Sequence, residues 1–150
     1  MEDRPLSIQI HQSLVPSLRL ELFPKSIIDV FITVLEMDGE AACMASGSIA
    51  ASAALADAGI EMLGLIAACS ACSFPSVRPS LGSGDTAMDR DLHPDRKEVW
   101  LDPDEHESTS ASGTVVMACM PALGTVTSLR QTGEMSPATV SSVGFSPYRI

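Results

Sequence analysis

Residues 27–74, IIDVFITVLEMDGEAACMASGSIAASAALADAGIEMLGLIAACSACSF, decide the fold. Ile27 to Met37 is dominated by β-branched and apolar residues and closes on Asp38-Gly39, a turn signal, so it predicts a strand. Ala41 to Ala58 is rich in alanine and free of proline, which predicts a helix, and Gly59 stands where a C-cap belongs. Leu63 to Ser73 is a nearly unbroken apolar run of the length expected for a buried strand. The order reads as a β-α-β unit. The alanine, glycine and serine on its helix let that backbone lie close against a sheet.

The flanks add to this unit. Leu6, Ile10, Leu14 and Leu18 recur every fourth residue, so Pro5 to Leu18 predicts an amphipathic helix with Asp3 as N-cap and Pro16 weakening its last turn. Pro75 to Lys97 has proline, glycine and charge without periodicity and reads as a long mobile loop. Val99 to Asp102 predicts a short strand, and Asp104 to Thr114 an acidic, hydroxyl-rich loop. Val115 to Met120 and Thr125 to Gln131 predict a hairpin turning at Pro121 to Gly124. Ser136 and Pro137 have the form of an N-cap and N1 pair, but the sequence after them reads as an irregular tail over 138–150.

One domain is the expectation for 150 residues. A net charge of −10 argues against a protein that grips nucleic acid alone, because each phosphate contact needs Lys or Arg. Any RNA role needs basic partners or a local patch drawn from Arg19, Lys25, Arg78, Arg90, Arg96 and Lys97. Met1-Glu2-Asp3-Arg4 leads into no apolar signal region, and Asp57 and Glu61 break the most apolar stretch. A soluble, intracellular chain with reduced cysteines is expected.

Three motifs invite a chemical reading. Cys69 and Cys72 form a CxxC, but a redox pair opens a helix, and on a strand residues three apart face opposite ways. Cys43, Cys119, His11, His93 and His106 supply no second ligand pair for zinc. Buried structural cysteines are the preferred reading. Asp102, Asp104, Glu105, His106 and Glu107 have the chemistry of a divalent-ion or acid–base cluster, and a solvated acidic turn explains them more simply. Gly39 before a helix suggests a phosphate cradle, yet the glycine fingerprints are missing and Glu40 would repel an anion. Composition and spacing alone stop at an α/β (α+β) domain.

Longer blocks carry a resemblance. Leu22-Phe23-Pro24-Lys25-Ser26-Ile27-Ile28-Asp29-Val30-Phe31, Val34-Leu35, Asp38-Gly39 and the ALADAGIEM run from Ala54 to Met62 resemble the RNase PH family. So do Trp100-Leu101-Asp102-Pro103, Met120-Pro121-Ala122-Leu123-Gly124 and Thr132-Gly133-Glu134-Met135, in the family's order. The blocks cover Leu6 to about Pro137, the expected core over 6–137, and the wording is most similar to eukaryotic RNA exosome ring subunits of the mRNA-transport-regulator type.

The resemblance implies a partial RNase PH domain of the ribosomal-protein-S5-domain-2-like fold, in a six-subunit ring that threads RNA through its channel. Active members cleave RNA 3′ ends with inorganic phosphate. Their Gly-Thr-Arg arginine falls on Met44, two further arginines on or near Gln12 and Val15, and their acidic pair near Ser108 and Thr114. The resemblance therefore implies a chain without catalytic, cofactor or metal residues. Its expected partners are other RNase PH-like ring subunits, cap subunits and RNA in the assembled ring, with no membrane, in nucleus, nucleolus and cytoplasm. It also implies that sequence preceding Leu6 in the family, including the first strands of the sheet, is missing from this chain. An active phosphorolytic exoribonuclease, a thiol or metal function at Cys69 and Cys72, and a truncated product without function are the competing expectations.

Overall fold

A computed structural model describes residues 4–74 and 98–144. Helix α1 spans Arg4–Leu14, with Ile10 and Leu14 buried and Leu6 and Leu18 packed beside them. Pro16 cannot donate to a helical ladder, and the chain tightens into a 3-10 turn at Val15–Ser17. The expected Asp3 cap lies outside the described residues.

Helix α2, Glu40–Asp57, fills the predicted alanine-rich stretch. It ends in a Schellman motif: the Gly59 N–H donates to Ala56 O, and the Ile60 N–H donates to Leu55 O. Gly59 takes a φ of 72°, which a β-carbon would strain. The small residues do what their size allows. A β-carbon on Gly47 would lie 2.8 Å from Ile10 Cδ1, so α1 crosses α2 where glycine leaves room. The hydroxyls of Ser13 and Ser48 meet at 3.0 Å between the helices, and Ser52 Oγ accepts the Ile66 N–H at 2.9 Å. The close approach is thus made without orphaned polar groups.

The sheet has four strands in the order β2-β1-β3-β4, all pairs antiparallel. Strand β1 is Ala67–Phe74, β2 Glu98–Leu101, β3 Gly113–Met120 and β4 Thr125–Gly133. Alternation on β3 sends Val116, Ala118 and Met120 into the cluster with Leu55, Ile66 and α1. Val115 joins Ala71, Met135, Val99 and Val140 in a second cluster. The hairpin turns at Pro121–Leu123, with Gly124 left-handed at φ 61°.

Three expectations need correction. Residues 26–37 form no strand: no ladder hydrogen bond joins them to any described residue, and Ile27, Phe31 and Leu35 are 87%, 92% and 95% exposed. The β-α-β unit is therefore an α-β unit in an antiparallel sheet. Asp104 to Thr114 is not simply a loop, because Glu105–Ser110 forms helix α3. The segment after Pro137 is helical as α4, Pro137–Gly144, with Ser136 Oγ accepting the Thr139 N–H. Hydroxyl side chains in helices return their protons to carbonyls four residues back, as Ser141 does to Pro137 O, so they masked both helical signals. The loop expected over 75–97 lies outside the described residues.

Candidate functional site

A cleft of about 250 Å³ opens where α2 begins. Gly39, at φ 102°, turns the chain into the helix beside the backbone of Glu105. The floor comes from strand alternation: Thr114 and Val116 on β3 stand opposite Thr132 and Arg130 on β4. Glu40, Ala41 and Met44 from the first turns of α2 form one wall. Glu105, Ser108 and Thr109 from α3 form the other.

Among the described residues, the cleft holds one guanidinium. Arg130 Nη1 donates to Glu40 Oε1 at 2.7 Å and lies 3.8 Å from Met44 Sδ. Glu40 is also the first residue of α2, where a carboxylate complements the positive end of the helix dipole. Among the described residues, Glu40 and Glu105 against Arg130 leave the lining with one net negative charge. Ser108 Oγ is buried in the wall without a hydrogen-bond partner among the described residues, whereas the Thr109 hydroxyl donates to Glu105 O at 2.7 Å. This arrangement is built to neutralise its cation internally.

Three of the five positions marked by the sequence converge. Met44, Ser108 and Thr114 line this one cleft, although 64 or more residues separate Met44 from the other two in the chain. Gln12 and Val15 do not join them. They line a second, larger groove of about 1590 Å³ between α1, α2 and residues 26–36. Arg130 carried no sequence signal; its 90-residue separation from Glu40 is closed only when the folded sheet lets the Arg130 side chain reach the start of α2. Arg19, a candidate for an RNA patch, is engaged by Glu21 at 3.0 Å and Glu61 at 3.3 Å. Arg78, Arg90, Arg96 and Lys97 lie outside the described residues.

The acidic cluster resolves into a helix cap. Asp104 Oδ1 accepts the Glu107 N–H at 2.6 Å, and Glu107 Oε2 accepts the Asp104 N–H at 3.1 Å, a reciprocal capping box for α3. Asp102, left-handed at φ 54°, accepts from Ser70 Oγ at 3.4 Å. Among the described residues, no group of three or more His, Cys, Asp or Glu side chains could hold a metal ion. Cys69 and Cys72 lie on β1 rather than at a helix start. Burial pushes both thiols up; Cys119 adds to the effect at Cys69, and the Glu107 and Asp104 carboxylates add to it at Cys72. Raised thiols are poor nucleophiles at neutral pH. No helix among the described residues is long and apolar enough to cross a membrane.

Comparison with known proteins places these features in context. Residues 2–61 match the model of the 3′ exoribonuclease family, domain 1. The exosome complex component mtr3 of Schizosaccharomyces pombe is 34% identical over 143 residues, which is 94% of this chain and 48% of that protein. The exosome complex component Rrp41 of Pyrococcus furiosus is 36% identical over 131 residues, 87% of this chain and 43% of that one. The chain thus spans about half the length of the relatives it matches. The crystal structure of rice Rrp46 superposes with a TM-score of 0.72 at 18% identity, covering 95% of this chain and 56% of that one. That likeness shows the α+β fold.

Proposed function

Because the chain belongs to the RNase PH family, we propose that it is a non-catalytic structural subunit of an RNA exosome core ring, supporting 3′-to-5′ processing and degradation of RNA, ribosomal RNA included. One observation carries the reading. In the cleft where Met44, Ser108 and Thr114 meet, the single guanidinium among the described residues is held by Glu40 at 2.7 Å. Phosphorolysis brings an inorganic phosphate against a phosphodiester, so two anions must be neutralised at once. A cleft lining with one net negative charge works against both. The partners under this reading are other RNase PH-like ring subunits and cap subunits, with RNA held by the assembly in nucleus, nucleolus and cytoplasm. A net charge of −10 fits a subunit that leaves RNA contacts to basic neighbours.

Active phosphorolysis is the second reading, favoured by the presence of Arg130 in the cleft at all. A third, a product without function, draws support from the bare apolar residues at 27, 31 and 35. Two assays separate the three. The tagged chain is purified from its own cells and its companions identified by mass spectrometry, and the pure chain is incubated with RNA and phosphate. Stoichiometric ring subunits without release of nucleoside diphosphates support the scaffold. Nucleoside diphosphates released in proportion to phosphate overturn it in favour of the enzyme. Chaperones alone, or no companions, overturn it in favour of the inert product.

A further inference from the structure

The sheet takes the Cys69-Cys72 motif apart and puts a different set of sulfurs together. Cys72 pairs with Thr114, on the side of the sheet that carries the cleft. Cys69 pairs with Met117, on the side turned away from α1 and α2. Cys119 follows Met117 by two residues on β3 and stands opposite Ala67, so alternation gives it the same face as Cys69. The Cys119 thiol is near enough to add to the upward push on the Cys69 thiol. Both cysteines are partly open to solvent, and Met117 between them is 7% exposed. We propose that Cys69, Met117 and Cys119 form a binding site for one soft monovalent cation, copper(I).

Donor softness decides the class of ion. Thiolate and thioether sulfurs select copper(I), whereas carboxylate and carbonyl oxygens select magnesium, calcium and manganese. The described strand residues on this face carry no carboxylate and no imidazole. A structural zinc site closes with four nitrogen, oxygen or thiolate ligands, and two thiolates with a thioether fall short of that. Reach is sufficient. Directly opposite residues have Cβ atoms about 4.5–5.5 Å apart and diagonal ones about 7–8 Å. Two metal–thiolate bonds of about 2.3 Å bridge about 4.6 Å between sulfurs, which lets the diagonal cysteines lean onto one ion. The unbranched methionine arm adapts to the same point. Binding exchanges each thiol proton for a bond to the ion: Cu⁺ and two RSH give [Cu(SR)2]⁻, and both protons leave to water. The thioether adds a lone pair without losing a proton, and no electron is transferred. The inference is independent of the scaffold reading, because the cleft opens on the other side of the sheet.

The test loads the full chain with copper(I) under anaerobic conditions, in competition with a colorimetric copper(I) chelator. One equivalent should pass to the protein. Even outer-shell changes at metal sites cost about 10–100-fold in affinity, so Cys69→Ser and Cys119→Ser should each cost about a hundredfold or more. Met117→Leu keeps the side-chain volume and should cost about tenfold. Cys72→Ser should change nothing. A second readout needs no variant, and it decides the matter if a serine variant fails to fold. In the loaded parent, alkylation with peptide mass mapping should find Cys69 and Cys119 protected relative to the copper-free chain, and copper X-ray absorption should show sulfur neighbours alone. No copper(I) held against the chelator, unprotected Cys69 and Cys119, or binding that survives Cys119→Ser with the melting transition intact would overturn the proposal. So would an equal loss in Cys72→Ser, or displacement of copper(I) by an equal concentration of zinc.

Discussion

Replacing Glu40 with glutamine should turn the cleft into an anion site. The substitution keeps the side chain's length and its hydrogen-bonding oxygen but releases Arg130 from an ion pair of 2.7 Å. A phosphate seated on Arg130 would sit on the order of 5 Å from the Glu40 carboxylate. At that separation a like charge costs roughly 1 kcal/mol at the dielectric of bulk water and roughly 3 kcal/mol at an effective dielectric of about 20. Glu40 is 55% exposed at its side chain, so screening holds the effect near the lower figure. Phosphate should therefore bind Glu40→Gln about fivefold more tightly than the parent, since a factor of ten is about 1.4 kcal/mol and the lower figure is about 1 kcal/mol. The gain has a cost: an exposed ion pair is worth about 0.2–1 kcal/mol, and a carboxylate at a helix N-terminus about 0.3–1 kcal/mol. A melting temperature lower by a few degrees is expected for a chain of this size. Phosphorus NMR line broadening during phosphate titration reads the affinity, at low and at high salt. Adding Arg130→Gln should abolish the gain. An affinity that stays level or falls in Glu40→Gln, with the melting transition intact, would refute the argument that Glu40 closes this cleft to anions.

Three further outcomes are expected. Leu55, 4% exposed in the main core cluster, should cost about 2–5 kcal/mol when replaced by alanine, read as a lower urea midpoint at unchanged slope. Gly59→Ala meets open space but a left-handed φ of 72°, so about 1–2 kcal/mol should be lost to strain alone, with Gly59→Asn losing less. The raised thiols of Cys69 and Cys72 give stability that is complete below the ordinary thiol pKa and is lost as pH rises through their higher folded-state values. Urea midpoints should accordingly fall on the alkaline side of the thiol range, and less steeply in Cys72→Ala.

How much of this was legible beforehand depends on whether a signal was local. The alanine run, Gly59 and the turn at Pro121 to Gly124 act through their own backbones, and the structure places α2, its Schellman stop and the β3–β4 hairpin there. The fourfold spacing of Leu6, Ile10 and Leu14 likewise marked the inner face of α1, while Leu18, expected in the same helix, lies beyond its end in extended backbone. The segment from Ile27 to Met37 read as a strand because its composition is that of one. A strand is a relation to a neighbour, and among the described residues it has none. Hydroxyl-rich α3 and α4 were missed because serine and threonine bond to backbone in more than one conformation. The cleft was half visible: Met44, Ser108 and Thr114 were marked through the family resemblance. The Glu40–Arg130 pair that defines its electrostatics emerges only when β4, paired to β3, brings the Arg130 side chain to the start of α2.

The order of strands has a consequence for synthesis. Strand β1 is central, between β2 and β3, yet both neighbours lie later in the chain. At about 5–20 residues per second, the roughly 40–50 residues from the end of β1 to the end of β3 take several seconds to leave the ribosome. Until β2 emerges both edges of β1 are bare, and the edge that β3 covers stays bare to the end of that interval. The hairpin of β3 and β4, being local, closes in about 1–10 μs once it emerges. Mutations in that hairpin should then slow refolding, while those in β1 should mainly hasten unfolding. The waiting strand, rather than the late hairpin, is the point at which a nascent chain of this design needs a chaperone.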